Sequence, residues 1–537
     1  MTAAFTRRHF VSAAVAVAAA SSVARAGERQ PLFQYGVASG DPLHDRVILW
    51  TRVTPASLFD DVDVRWKVAR DPGMRQIVTT GTQRTDISRD FTVKVDVKGL
   101  APAHTYYYQF TVGVERSPVG RTRTLPQGSV DAARLALVSC SNLPAGLFNV
   151  YALLARRADL DCVLHLGDYI YEYANASYGD GTLLGRVPAP DREIVSLADY
   201  RQRHAQYKLD ADLQAAHRQH PFICVWDDHE ITNDSWKGGA ENHNPELGEG
   251  DWERRLRSGI RAYFEWMPIR DVPLSSNTPI YRDFRFGDLA DLLMLDTRLY
   301  GRDQQSAAKP VTPTAGFPAN DPVANDPART LLGFDQEAWA YEKLALSKSR
   351  GATWRLLGQQ VMMATLSPSG GQTVFNLDQW DGYRPARERL YSTLRDGSID
   401  NVVVMTGDIH TSWANDLTSN PWAGYNPQTG QGVVGVEFVT PAVTSPGILN
   451  PVEAAQTAAF LRSISPHMKF VELNKRGYVL LDIDHERVHG EFWHVATVDA
   501  PSRAETLSGA LVNVAGDNRL QPASGPSPAR AAADPAP

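Results

Sequence analysis

The sequence contains few cysteines, which excludes a fold that depends on a network of disulfide bonds. Only Cys140, Cys162 and Cys224 occur among 537 residues, and an odd number leaves at least one thiol unpaired. Cys162 and Cys224 lie inside apolar runs and are interpreted as core residues, with a disulfide between them as the alternative. Cys140 stands at the end of an apolar run, so its thiol needs a different explanation.

The sequence also lacks a membrane-spanning run and an excess of basic residues. Beyond the N-terminus no apolar stretch approaches the roughly 20 residues that cross a bilayer, so we expect no transmembrane segment in the mature chain. The net charge is -7, with 54 basic against 61 acidic residues. An acidic surface argues against broad nucleic-acid binding. The 43% hydrophobic content is typical of a globular protein with a substantial core.

Residues 1–26 have the composition of a secretory signal. Arg7 and Arg8 precede Phe10, an uncharged run of Ala, Val and Ser follows, and Ala24 to Ala26 forms a small-residue cleavage site. The apolar run of about 14 residues is too short for the alternative, a membrane anchor. Because the paired arginines resemble a twin-arginine signal, we predict export to the periplasm or extracellular space, with the twin-arginine translocation machinery as a partner.

Residues 27–128 are predicted to form a small all-β sandwich. Four runs in this region alternate polar and apolar residues, are rich in β-branched and aromatic side chains, and show no helical period. These runs are residues 45–52, 62–68, 91–97 and 106–112. The pattern is that of a structural module rather than of a catalytic one.

Residues 129–500 are predicted to form an α/β catalytic domain, because apolar strand patterns alternate there with helical ones. The predicted strands are residues 134–139, 161–167, 221–226, 290–295, 353–358, 401–406, 477–483 and 487–493, and the predicted helices are 147–160, 197–217, 334–350 and 384–395. Residues 501–537 form a C-terminal tail. From about Pro522 its Pro, Ala and Ser content predicts disorder.

Four segments of this domain share one design, an apolar strand that ends in a small turn bearing polar side chains. They are residues 139–142, 167–171, 226–230 and 407–410. Ligand-binding groups collect beyond the carboxyl ends of parallel strands, so these segments converge if their strands lie parallel in one sheet. Taken singly, Gly167-Asp168 is more typical of a helix cap or a turn than of a metal ligand.

The segment Trp226 to Glu230 carries the strongest indication of bound metal. Asp227, Asp228 and Glu230 flank His229, and three neighbouring carboxylates repel one another unless a cation neutralises them. Asp408 and His410, two residues apart, suit chelation by a carboxylate and an imidazole. Carboxylates favour hard cations such as calcium, magnesium or manganese, whereas a thiolate, a phenolate and an imidazole together favour a transition ion, with ferric iron the usual partner of phenolate.

In order, the four segments resemble the D-x-H, G-D-x-x, G-N-H-D/E and G-H-x-H motifs of metallophosphoesterases. The departures are similar to those of PhoD-like alkaline phosphatases: Cys140 near the first motif, Tyr171 three residues after Asp168, Asp228 in place of Asn and Asp408 in place of His. The resemblance implies a four-layer αββα sandwich preceded by a small β-sandwich. It also implies hydrolysis of phosphomonoesters and phosphodiesters with bound Fe³⁺ and Ca²⁺.

Residue by residue, the resemblance implies two sets of metal ligands and two further roles. The iron ligands are Cys140, Asp168, Tyr171 and His410, and the calcium ligands are Asp168, Asp228 and Asp408, with Asp227 as a further one. His229 is implied to protonate the leaving group or to stabilise the transition state. We assign Arg298, from the segment Asp296 to Arg298, to binding of the phosphate oxygens, with a structural salt bridge as the alternative.

The expected substrates are small-molecule or lipid phosphate esters, and the expected state is a monomer. Two other interpretations are kept. Similar sequences include phospholipase D-type and other dedicated phosphodiesterases, and Trp236, Trp380, Tyr383 and Trp413 are candidates for a lipid or nucleobase subsite or for packing. A non-catalytic extracellular calcium-binding protein is disfavoured, because structural calcium sites need only oxygen ligands.

Overall fold

The computed structural model describes residues 31–311 and 316–537, so the predicted signal segment, residues 1–26, lies outside the described residues. The N-terminal region consists of short strands separated by turns, as predicted. Its strands are β1 (Val37–Gly40), β2 (Arg46–Arg52), β3 (Val62–Ala69), β4 (Ile77–Thr85), β5 (Thr92–Lys98), β6 (Thr105–Val112), β7 (Glu115–Arg116) and β8 (Gly120–Arg123).

These strands form a β-sandwich. Strands β4, β3 and β6 form one sheet, with β7 and β8 both paired to β6, and strands β1, β2 and β5 form the facing one. Alternate side chains of the two sheets fill a common core that includes Val47, Leu49, Val93 and Phe110. The predicted runs form strands because their apolar residues recur with period two, which places them on one face of each strand.

The rest of the chain contains the helices and the remaining strands. They are β9 (Ala132–Val138), α1 (Asn149–Leu154), β10 (Cys162–His165), α2 (Leu197–Lys208), α3 (Ala211–Gln219), β11 (Pro221–Cys224), α4 (Trp252–Trp266), β12 (Arg282–Phe286), β13 (Ala290–Met294), β14 (Phe317–Pro318), α5 (Phe334–Ser349), β15 (Trp354–Gly358), β16 (Thr373–Val374), α6 (Arg384–Asp396), β17 (Val402–Thr406), β18 (Ser412–Thr418), β19 (Val433–Val439), α7 (Pro451–Ile464), β20 (Met468–Glu472), β21 (Gly477–Asp484), β22 (Arg487–Val495), β23 (Glu505–Val514) and β24 (Leu520–Pro522).

Two large sheets form the middle layers of an αββα sandwich. Over the described residues, the first sheet has the order β24-β23-β22-β21-β9-β10-β11-β1-β2-β5, and the second has the order β12-β13-β15-β17-β19-β18-β20. Apolar side chains of both sheets share one core, and α1 to α4 pack on the first sheet. Side chains of α5, α6 and α7 cover the outer face of the second sheet. The predicted fold class is confirmed.

The first sheet joins the two predicted domains. Strand β1 pairs in parallel with β11, with Ser39 opposite Pro221, so the sandwich strands β1, β2 and β5 extend the catalytic sheet. The other face of β2 is also covered, because the Trp50 indole donates to the backbone oxygen of Glu265 in α4 over 2.9 Å. Sequence periodicity does not indicate which strands pair. The domain boundary predicted at residue 128 therefore separates two regions of the chain that contribute strands to the same sheet.

Helix α2 is shorter than its prediction. One helix was expected over residues 197–217, whereas the chain turns at Leu209 and Asp210 and begins again as α3. The Asp210 side chain accepts hydrogen bonds from the backbone N–H groups of Asp212 and Leu213, both over 3.0 Å. An N-cap of this kind starts a new helix, and the amphipathic pattern runs through the break without marking it.

The C-terminal tail is packed against the protein, whereas its composition predicted disorder. Strands β23 and β24 extend the first sheet, and the segment beyond them continues to make defined contacts. Arg530 donates to Asp482 over 2.9 Å, and the backbone N–H of Ala536 donates to Gln219 over 3.0 Å. These contacts involve residues distant in sequence, which composition does not register.

Candidate metal centre

The candidate centre lies where the carboxyl ends of strands from both sheets meet. The loops after β9, β10 and β11 carry Cys140, Asp168 and Asp228, and these three parallel strands are neighbours in the first sheet. The fourth segment follows β17, which belongs to the second sheet. The condition given from the sequence, that all four strands lie in one sheet, is not met, and two facing sheets bring the four loops together instead.

Close packing of the loops depends on two glycines. A Cβ atom at Gly167, whose φ is +108°, would lie 2.4 Å from the Cβ of Asp227. A Cβ at Gly407 would lie 2.8 Å from the Cβ of Ser139. Any side chain at either position would push apart the loops that carry the candidate ligands.

Among the described residues, the candidate ligand atoms form three overlapping groups. They are Cys140, Asp168 and His410; Asp168, Asp228 and His229; and Asp227, Asp228 and Asp408, with the ligand atoms of each group all within 4.8 Å of one another. Asp168 belongs to two of the groups and Asp228 also to two. The arrangement is that of a chain of adjacent cation sites with shared carboxylates.

Tyr171 completes the first group. Its hydroxyl lies 2.8 Å from Asp168 Oδ2 and 3.2 Å from His410 Nε2, and it accepts a hydrogen bond from Ser445 over 2.7 Å. Burial, reinforced by the charge of Asp168, raises the pKa of the Tyr171 phenol and of the Cys140 thiol. Both groups therefore keep their protons unless a strongly polarising cation binds them.

The backbone at the candidate ligands is in an unusual conformation. Cys140, Asp168, Asp408 and His410 have φ values of 60°, 55°, 64° and 60°, in the left-handed region that non-glycine residues rarely occupy. Such conformations cost free energy and persist where the surrounding structure holds them. Ten other described non-glycine residues share this conformation, but only at the loop ends does it occur at candidate metal ligands.

The buried oxygens of the site fit a cation. Asp168 Oδ1 and Asp227 Oδ2 are buried and have no hydrogen-bond partner in the described chain. An unpaired buried carboxylate oxygen is costly, and a cation is the partner that removes this cost. A donor set of thiol, phenol, imidazole and carboxylates suits a transition ion beside harder cations.

Arg298 lies beneath the carboxylates, with its side chain fully buried. Its guanidinium pairs with Asp227, with Asp378 over 2.6 Å and with Asp408 over 2.7 Å. The expected grip on phosphate oxygens does not fit this geometry, because all three guanidinium nitrogens already bind carboxylates. The alternative kept from the sequence, a structural salt bridge, describes the contacts better.

Arg298 and the backbone also account for part of the acidic segment after β11. Asp227 pairs with Arg298, and Glu230 turns away from the ligands to accept backbone N–H groups of Asp168, Tyr169 and Asp227 over 2.7 to 3.1 Å. The interpretation that Asp227, Asp228 and Glu230 all need a metal cation is therefore wrong for Glu230 and only partly right for Asp227. Glu230 braces two loops, and Asp228 remains directed at the other ligands.

His229 is held by a buried carboxylate that the sequence analysis did not single out. Its Nδ1 lies 2.7 Å from Glu172 Oε2, and its ring stacks on Tyr171 with 4.3 Å between the ring centroids. Burial opposes the charged imidazolium, but Glu172, Asp228 and Asp168 outweigh that effect and raise the pKa of His229 well above its ordinary range. With Nδ1 engaged, Nε2 is the nitrogen available for proton donation.

Other contributors were also missed. Asp378 binds Arg298, Gln379 donates to Asp408 over 3.2 Å, and the Tyr178 hydroxyl lies 2.9 Å from His410 Nδ1. None follows a strand with a Gly-Asp or Asp-His signature, so local pattern gives no signal for them.

Packing, one of the two interpretations kept from the sequence, describes three of the four aromatic candidates. Trp380, Tyr383 and Trp413 are 1 to 2% exposed and belong to the core of the second sheet and its helices. Trp236 is half-buried. Half-buried Tyr173 and Tyr178 lie beside His229 instead. Cys162 and Cys224 are buried free thiols, as their interpretation as core residues requires.

Across the described residues, no helix combines the length and the apolar character needed to cross a membrane.

Comparisons with known proteins identify the family of this chain. Residues 135–492 match the model of the PhoD-like phosphatase family, and residues 17–126 match that of the PhoD-like phosphatase N-terminal domain. Alkaline phosphatase D of Bacillus subtilis (strain 168) is 37% identical over 494 residues, which cover 89% of this chain and 80% of that protein. A solved structure of PhoD superimposes with a TM-score of 0.82 at 34% identity, covering 94% of each chain. The chain belongs to the PhoD-like phosphatase family.

Proposed function

We propose that this protein is an exported, metal-dependent phosphoesterase that hydrolyses phosphomonoesters and phosphodiesters. The observation that carries the proposal is the set of overlapping ligand groups at the loop ends, one of which includes His229. A structural cation site needs only oxygen ligands. A thiol, a phenol, an imidazole and a supported histidine acid together favour catalysis.

The proposed ions are Fe³⁺ and Ca²⁺. Cys140, Asp168, Tyr171 and His410 would hold the iron, because thiolate, phenolate and imidazole suit a transition ion. Asp168, Asp228 and Asp408 would hold calcium, since carboxylate oxygen is its usual ligand. Asp227 is a weaker candidate, because one of its oxygens pairs with Arg298. When bound, the ions supply neutralisation of the phosphate charge and an activated water nucleophile.

The protein's own residues would position the catalytic groups and move the proton. His229 would donate its Nε2 proton to the departing alkoxide, and Glu172 on Nδ1 would hold the ring in that orientation and stabilise its protonated form. Arg298 would keep Asp408 in place and balance the charge of Asp227 and Asp378. The neighbouring loops, tied together through Glu230, keep these groups fixed while substrates exchange.

The function is tested by release of p-nitrophenol from p-nitrophenyl phosphate and from bis-p-nitrophenyl phosphate. We expect both esters to turn over, chelation to abolish the activity, and added iron with calcium to restore it. Equal rates before and after complete metal removal would contradict metal dependence. No turnover at any metal loading would favour a calcium-binding protein.

Export is tested separately, since residues 1–26 carry it. Replacing Arg7 and Arg8 by Lys should leave the protein in the cytoplasm, because the twin-arginine pair is the recognition element of such signals. The matched control is replacement of Arg25, near the cleavage site, by Lys. Undiminished secretion of the Arg7 and Arg8 variant would contradict a twin-arginine signal.

A further inference from the structure

Tyr178 lies in the long connection between β10 and α2 and reaches back to the candidate metal centre. Its hydroxyl lies 2.9 Å from His410 Nδ1, and its ring lies 6.0 Å from the imidazole between centroids. Tyr171, in the same connection, lies 3.2 Å from His410 Nε2 through its hydroxyl. His410 is therefore held between two tyrosines, one on each ring nitrogen.

The two ring nitrogens of His410 have different roles. Nε2 faces Tyr171 and Asp168, the candidate ligands, with 3.9 Å to Asp168 Oδ2. An imidazole that binds a cation through Nε2 carries its proton on Nδ1, so Nδ1 donates to the Tyr178 oxygen. A partner of this kind on the second nitrogen fixes both the tautomer and the ring orientation of a metal-binding histidine.

Tyr178 is itself anchored to the loop that carries Cys140. Its backbone oxygen accepts a hydrogen bond from the Asn142 side chain over 2.5 Å, and a Cβ at the next residue, Gly179, would lie 3.3 Å from the same amide nitrogen. The contact joins the loop after β9 to the connection after β10. The position of the Tyr178 hydroxyl is thus set by the same loops that carry the ligands.

We propose that Tyr178 is a positioning residue that fixes His410 through Nδ1 and so sets the affinity of the iron subsite. The inference rests on the proposed function, because it requires a transition ion beside His410. Tyr178 is not proposed as a ligand, since its hydroxyl lies on the far side of the imidazole from Asp168. Its role is to reduce the freedom of a side chain whose backbone is already in the left-handed region.

The test compares Tyr178→Phe with Tyr173→Phe, a matched change in the same connection. Tyr173 also lies beside His229, with 5.4 Å between ring centroids, but its neighbours do not include His410 Nδ1. Purified holoprotein is titrated with a competing chelator, and retained iron is measured by elemental analysis and by visible absorption. Tyr178→Phe should lower iron affinity by about 10- to 100-fold, whereas Tyr173→Phe should match the wild type.

A double-mutant cycle separates positioning from a general loss of structure. In a His410→Ala background, Tyr178→Phe should cause no further loss of iron, because the group that it orients is gone. Equal iron affinity of Tyr178→Phe and wild type, or the same loss with and without His410, would overturn the inference. Wild-type protein that is active without iron would overturn the proposed iron site instead, and this inference with it.

Discussion

Two buried clusters of titratable side chains lie on either side of the Asp168-Tyr169 peptide, and they differ in how their buried charges are balanced. The acidic site consists of Asp168, Asp227, Asp228 and Asp408 with their neighbours. The basic pocket, defined here as Lys208, His165, His204 and His217, lies around the ring of Tyr169. Its Lys208 and His217 are joined over 3.1 Å, and the Tyr169 hydroxyl lies 2.8 Å from His217.

The difference lies in how each cluster avoids unpaired buried charge. In the basic pocket, burial lowers the pKa of Lys208 to about 7 and the pKa values of His165 and His204 to about 3. The rings of Trp50 and Tyr169 pack 4.8 and 5.0 Å from the lysine nitrogen. The pocket can therefore become neutral by losing protons.

The carboxylates of the acidic site respond to burial in different ways. Burial raises the pKa of Asp227 and raises that of Asp408 to about 6, whereas at Asp228 the charges of Arg298 and His229 outweigh burial and lower the pKa. Arg298 and the backbone N–H groups satisfy some of the carboxylates, yet Asp168 Oδ1 and Asp227 Oδ2 stay unpaired, and the candidate ligands keep a strained backbone. Strain and unpaired oxygens together at one place indicate a site built for an added cation. Burial alone does not distinguish the two clusters, but the type of partner does.

The largest effect is expected at Asp168, the carboxylate shared by two ligand groups. Asp168→Asn should lower activity by more than the roughly 100-fold that follows loss of a supporting residue, and should release bound metal. The metal-free variant should be no less stable than metal-free wild type, because like charges are removed. Elemental analysis and thermal unfolding measure both. Full metal content with normal turnover would show that Asp168 is not needed to bind the metal, and the acidic site would then not differ from the basic pocket in needing a cation.

His229→Gln should affect turnover and spare the metal. We expect kcat to fall by about 10²- to 10⁴-fold, the usual contribution of a general acid. The loss should be greater for an alkyl phosphate than for p-nitrophenyl phosphate, since p-nitrophenolate leaves without a proton. Glu172→Gln should give a smaller loss with the same dependence on leaving group. Equal losses for both esters would contradict the assignment of His229 as the acid.

Arg298→Met tests whether the arginine balances carboxylates or grips the substrate. Removing it leaves Asp227 and Asp408 without their buried cation, while Asp378 keeps its ion pair with Arg302, so we expect a loss of about 3–5 kcal/mol in the free energy of unfolding. That loss should shrink when calcium is added, and it is measured by denaturant titration with and without the ion. A rise in KM alone, with stability unchanged, would instead support the phosphate-binding role expected from the sequence.

Lys208→Met should leave activity intact and change the pH dependence of stability. The unfolded chain keeps the lysine proton to about pH 10.4, whereas burial lowers the folded-state pKa to about 7. Between these values the unfolded state binds more protons, so the free energy of unfolding rises with pH by about 1.4 kcal/mol per unit.

The methionine variant should lose that slope and be more stable at pH 7. Urea titrations between pH 7 and 10 measure the slope, and Lys343→Met, at a half-buried position on α5, serves as the control. An unchanged slope in Lys208→Met would show that this lysine keeps its charge when buried. The contrast between the clusters would then be lost.

Much of the fold was predictable because its signals are local. The apolar runs that became β9, β10, β11 and β17 are short, continuous and bounded by turn residues, as expected for buried parallel strands. The pairing of β1 with β11, the division of the ligand loops between two sheets and the packing of the tail were not predictable. Each depends on contacts between residues far apart in sequence.

The residues of the candidate site also divide into those with a local sequence signal and those without one. Asp168, Asp228, Asp408 and His410 follow strands directly, so their types and positions pointed to one edge. Arg298 was singled out, but its role changed because its three carboxylate partners come from three other loops. Glu172, Asp378 and Tyr178 carry no local signature. Their roles can be recognised only in the folded structure, where the loops that carry them come together.

Anomalous diffraction at the iron absorption edge, from crystals of the holoprotein, reports whether a transition ion binds at the first ligand group. We expect an anomalous peak within bonding distance of Cys140 Sγ, an Asp168 oxygen, Tyr171 Oη and His410 Nε2. No peak there in a fully active crystal preparation, or a peak at a different group of residues, would contradict it.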